Sequence, residues 1–65
     1  MKLGDRVHLE NGEIARIVCD YDRREFSADY PESEWGDAAQ TGILVVTEKG
    51  ARVRVERHDV CQISD

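Results

Sequence analysis

Residue types able to do chemistry are few in this chain, and they are dispersed. His8, Cys19, His58 and Cys61 carry the soft metal-ligand atoms, yet they fall in four segments, and none makes the paired-cysteine spacing of structural zinc sites. They read as two surface histidines and two buried core thiols, reduced in the cell. Asp29, Glu32 and Glu34 are close enough in sequence to suggest acid–base work or calcium binding. No EF-hand loop surrounds them, and acids at a first helical turn complement the positive helix start without further function. Ser27 and Ser33 lie in no nucleophile-elbow motif, and the glycines punctuate turns rather than cradle phosphate. No catalytic residue, metal or cofactor is assigned, and the expectation is a protein that is not an enzyme.

Charge is the next chemical signal. Between Asp20 and Asp37 stand seven acids and two bases, Arg23 and Arg24, while the rest of the chain holds seven of each, so the whole net charge of −5 resides in this insert. Arg52 and Arg54 share the outward face of one strand, and Arg6, Arg16 and Arg57 are candidates to lie near them. An arginine face suits phosphate, but affinity for a polyanion rests on neutralising charge, which an acidic chain lacks. The interleaved Glu10, Glu13 and Glu56 blunt any basic stripe, and an ordinary solvated strand face has the same alternation.

These groups must be positioned by elements that the pattern makes legible. Val7 and Leu9 alternate with Arg6, His8 and Glu10, which predicts a strand over Asp5–Glu10. Asn11-Gly12 is a hairpin pair suited to a type I′ turn, leading into a long, bent strand over Glu13–Tyr21. The strongest signal is Ile43-Leu44-Val45-Val46, the turn Glu48-Lys49-Gly50, and the alternation of Ala51, Val53 and Val55 with Arg52, Arg54 and Glu56. It predicts a hairpin of Gly42–Thr47 with Ala51–Glu56, its loop closed by Gly50 at positive φ. A 3₁₀ turn at Arg57-His58-Asp59 and a closing strand over Val60–Ile63 complete the set. Within the insert, Glu25–Ala28 reads as a short returning strand and Pro31–Trp35 as one helical turn ended by Gly36. The expected core is Val7, Leu9, Ile14, Ile17, Leu44, Val46, Val53, Val55 and Ile63, with Trp35 and Phe26 as a lid over an open barrel end. Four consecutive apolar residues leave the phase of 43–46 open.

Five short strands, the opening Gly4-Asp5-Arg6-Val7, the segment Asn11-Gly12-Glu13-Ile14 and the 3₁₀ turn before the last strand resemble SH3-like small barrels of the KOW and Tudor-like kind. The segment Ser27-Ala28-Asp29-Tyr30-Pro31-Glu32-Ser33-Glu34-Trp35 is also similar to one in small uncharacterised bacterial proteins. The resemblance implies a mainly β fold: a single SH3-like five-stranded antiparallel barrel over 1–65, with a long acidic loop containing a short helical turn. The plasmid-encoded type II dihydrofolate reductases share this layout and the Gly-Asp-Arg-Val opening. Their pore is lined by a Gln-Ile-Tyr strand motif, whereas the matching strand here reads Ala51-Arg52-Val53-Arg54-Val55, so that activity is rejected.

A chain of 65 residues buries about 60% of its unfolded surface and is marginal in stability, so a second copy as partner is compatible with it. No apolar run approaches a membrane span and no basic-then-apolar leader opens the sequence, which predicts a cytoplasmic protein. The expected function is docking of a partner protein through the acidic loop and the charged strand face. The candidate residues are Asp22, Arg23, Arg24, Asp29, Glu32, Glu34, Arg52 and Arg54. Nucleic-acid binding through the arginines ranks second.

Overall fold

Alternating segments and glycine-ended turns produce the strands they predict. The computed structural model describes residues 2–36 and 40–63. Its elements are β1 (Arg6–His8), β2 (Ile14–Asp20), β3 (Glu25–Phe26), α1 (Glu32–Trp35), β4 (Ile43–Thr47), β5 (Arg52–Val55) and β6 (Cys61–Gln62), with a 3₁₀ turn at Arg57–Asp59 before β6. One antiparallel sheet runs in the order β5-β4-β2-β1-β6, and β3 pairs with β2 off this path. The sheet is open among the described residues, with β5 and β6 as its edges. The expected short returning strand is present as β3 beside the five main strands, which makes six among the described residues.

Both hairpins turn the same way. Gly12 N–H donates to the Leu9 carbonyl at 2.9 Å and Gly50 N–H to the Thr47 carbonyl at 2.9 Å, each glycine standing at positive φ. Asn11 keeps a negative φ, so the first turn is not the type I′ expected from Asn-Gly. Instead the Asn11 side-chain oxygen accepts the Glu13 N–H at 2.9 Å, an Asx turn that fixes the loop before Gly12 takes the left-handed position.

Strand β2 decides which residues are inside. Ala15 and Ile17 face inward, paired with Thr47 and Val45; then the register slips by one residue at Val18, so that Cys19 opposes Leu44 and Asp20 opposes Ile43. The bulge reverses the phase of the strand. One core therefore contains Val7, Ala15, Ile17, Ile43, Val45 and Val60, with Leu3, Leu9 and Val55 packed against it. A second contains Cys19, Tyr21 and Leu44, with Val18, Phe26, Tyr30 and Trp35 over it. Leu44 stands between Ile43 and Val45 on β4, so the second core occupies the opposite face of the sheet.

This arrangement corrects the expected core. Val7 and Ile17 are buried as expected, but Ile43 and Val45, not Val46, fill the first core. Ile14 and Val46 are half-buried on the other face, and Ile63, which follows β6, is half-buried too. Val53, at the open β5 edge, is 37% exposed. Trp35 and Phe26 do not close a barrel end; they cover the outer face over Cys19, Tyr21 and Leu44.

The two thiols differ for the same reason. Cys19 is buried, and desolvation pushes its thiol above the ordinary value. Cys61 is exposed, because Val60 beside it takes the inward position, which corrects the expectation of two buried thiols. Under native conditions a maleimide should label Cys61 alone, with Cys19 reacting only after denaturation. Mass spectrometry of the timed reaction distinguishes one fast adduct from two.

Candidate functional site

Strand register brings together side chains that lie far apart in sequence. Arg6 pairs with Arg16 across β1 and β2, Arg16 with Val46 across β2 and β4, and Val46 with Arg52 across β4 and β5. Partners in an antiparallel ladder project from the same side, so three arginines and one valine form a single rung on the outer face. Adjacent strands lie about 5 Å apart, which places the Arg6 and Arg16 stems side by side. Like charges set directly opposite are destabilising unless something anionic meets them. Among the described residues Arg16 has no hydrogen-bonded or ion-paired side-chain partner.

The next rung toward the insert is Cys19, Leu44 and Arg54. Over it sit Tyr30 and Trp35, their ring centroids 5.0 Å apart. The Arg52 guanidinium lies 5.2 Å from the Trp35 ring centre, a cation–π contact that ties the insert to β5. Beside Tyr30, the other half of the face is an open trough whose floor is Ile14, Val18 and Val46 and whose rim carries Arg6 and Arg16. Glu48 stands at its margin.

The eight residues expected to form a site serve several ends. Asp22 accepts the Gly42 N–H at 3.0 Å and lies 3.8 Å from Arg57, so it braces the entry to β4. Arg23 contributes its backbone N–H to Asp20 and leaves its side chain in solvent. Arg24 occupies a left-handed turn position at φ 56°, with its guanidinium 2.6 Å from Glu32 and 5.3 Å from the Phe26 ring centre. Asp29 and Glu34 are exposed, and Glu34 borders a cleft with Trp35, Leu44 and Arg54. Arg54 donates to the Thr41 carbonyl and to Glu56, both at 2.8 Å. Only Arg52 among the eight belongs to the arginine rung. Arg6 and Arg16 were foreseen as neighbours of the strand face, but Ile14, Val18, Tyr30 and Val46 were not, because their convergence depends on register and on the bulge. Asp37 lies outside the described residues.

Among the described residues no three His, Cys, Asp or Glu side chains converge as metal ligands. No helix there is long and apolar enough to cross a membrane. Trp35 is half-buried, so Trp35→Ala should cost about 2 kcal/mol, below the range of roughly 3–5 for a fully buried aromatic. A thermal melt identical to that of the parent would contradict its packing on Leu44 and Tyr30. No protein-family model, curated protein or solved structure matches this chain.

Proposed function

We propose that this chain is a non-enzymatic docking module of SH3-like type that binds a partner protein on the outer face of β1, β2, β4 and β5. The strand order, with the 3₁₀ turn joining β5 to β6, supports barrel closure between those two edges. The observation that carries the reading is the rung Arg6-Arg16-Val46-Arg52, which sets arginines together beside the half-buried apolar residues Ile14 and Val18. The insert contributes one wall of the site through Tyr30 and Trp35 rather than acting as a separate acidic arm.

Nucleic acid is the second reading, favoured by the same arginines and by the neighbouring aromatics. It is placed second because the insert's acids border the face itself: Glu32 is held by Arg24, and Glu34 adjoins Trp35 and Arg54. At physiological salt the screening length is about 8 Å, so charges this close still oppose an approaching phosphate chain. An apolar floor of Ile14, Val18 and Val46 also has no use in holding a sugar–phosphate backbone. Fluorescence titration of labelled single- and double-stranded oligonucleotides at low and physiological salt separates the readings. The expected result is no saturable binding. Micromolar binding that weakens steeply with salt and disappears in Arg16→Glu/Arg52→Glu would replace protein docking with nucleic-acid binding.

A further inference from the structure

We infer that the cleft between β5 and the turn leading into β6 is a second docking site, one that takes a basic segment of a partner protein with a single apolar side chain between lysines or arginines. It lies on the inner side of the sheet, apart from the outer face proposed above, and does not depend on that reading. Its floor is Leu9, Val53, Val55 and Val60, where the first core reaches the surface. Val60 is buried, Leu9 and Val55 are half-buried, and Val53 is exposed. The floor stays uncovered because β5 is an edge: among the described residues no further strand lies beside Val53.

The rim sets the sign of the partner. Glu10, Glu13 and Asp59 line the cleft, and no lysine or arginine does. Outside the insert the chain holds seven acids and seven bases, so an all-acidic rim is a segregation of charge and not the chain's average. The carboxylates come from the connection between β1 and β2 and from the 3₁₀ turn, two segments far apart in sequence. Asn11 steadies one of them, its side-chain amide donating to Glu13 Oε1 at 3.2 Å. Among the described residues none of the three pairs with a lysine or arginine. The His58 imidazole, 3.4 Å from Asp59, is mostly exposed and carries charge only when protonated. Cationic groups on either side of an apolar residue satisfy these carboxylates while that residue covers Val53. An acidic segment is repelled, and a purely apolar one dries the border of three carboxylates without giving them a partner. Two such clefts face to face set acid against acid on copies that each carry −5, which argues against a second copy.

The test is an amide chemical-shift titration of the isotope-labelled full chain with the capped peptide Lys-Ser-Leu-Ser-Lys. Its counterparts carry Gln or Glu in place of both lysines, or Ser in place of Leu. Glu10→Lys and Val53→Ser are suitable variants because both residues are exposed, and a thermal melt checks that each keeps the fold. Shifts are expected to group at Leu9, Glu13, Val53 and Val60. The lysine peptide should bind about tenfold more tightly than the glutamine one, and the glutamate one not at all. Loss of Leu from the peptide, Val53→Ser and Glu10→Lys should each weaken binding by about tenfold, while Arg16→Glu leaves it unchanged. No shift at the cleft with the lysine peptide would overturn the site. Equal binding of the lysine and glutamine peptides, or indifference to Glu10→Lys, would overturn the basic occupant. Shifts at the Arg6-Arg16-Val46-Arg52 rung instead, lost on Arg16→Glu, would overturn the cleft and leave the outer face in place. Concentration-dependent shifts of the chain alone at the cleft, abolished in Val53→Ser, would replace the basic segment with a second copy.

Discussion

Ile43→Ala is expected to cost about 4 kcal/mol, against about 1 kcal/mol or less for Val53→Ala. Ile43 is fully buried at the meeting of β2, β4 and β5, where it opposes Asp20 and Val55. Truncation there opens a cavity that a sheet pinned on both sides cannot collapse around. Val53 faces the same core side from the open edge and already sees solvent. A domain of this length has a total stability of roughly 3–10 kcal/mol, so the first variant loses much of it and the second little. Urea denaturation with unchanged slope measures both. Equal costs would contradict an exposed Val53 and place both residues inside a closed barrel.

Arg57→Ala is expected to cost about 3 kcal/mol, the lower end of the range for breaking a buried ion pair. The bulge at Val18 turns Asp20 inward, and its side chain is left only 2% exposed. Arg57, from the 3₁₀ turn, donates to both Asp20 oxygens at 2.7 Å, and this hydrogen bonding raises the guanidinium further above its ordinary value. Removing the guanidinium strands a carboxylate away from water. Because the Arg57 side chain is itself 34% exposed, water can reach part of the gap, which is why the lower end applies. Asp20→Asn/Arg57→Met, which removes both charges, should recover a large part of the loss. If the double variant is no more stable than Arg57→Ala, the buried charge is not the origin of the effect.

The elements were legible because their signals are local. Period-two runs placed the strands, Gly12 and Gly50 placed the turns, and Pro31 with Gly36 bracketed the helical turn. Inside-versus-outside was not legible where alternation fails. Ile43-Leu44-Val45-Val46 is apolar on both sides because each side has a core of its own. No residue type marks the slip at Val18, yet it sends Asp20 inward and Cys19 outward beneath the insert. The site suffered most from this. Arg52 was visible as a strand-face residue, but its alignment with Arg16 and Arg6 is a property of three ladders, and ladders are absent from a one-dimensional string. Similarly, the acids of the insert looked like a binding surface, whereas Asp22 and Glu32 chiefly hold the insert in place.

The most direct measurement of the docking claim is amide chemical-shift mapping of the isotope-labelled chain titrated with a segment of its partner or with a selected peptide. Perturbations are expected to group at Arg6, Ile14, Arg16, Val46 and Arg52, saturating together with one affinity. Shifts confined to the exposed acids of the insert or to the β5 and β6 edges, with that rung unmoved, would contradict it.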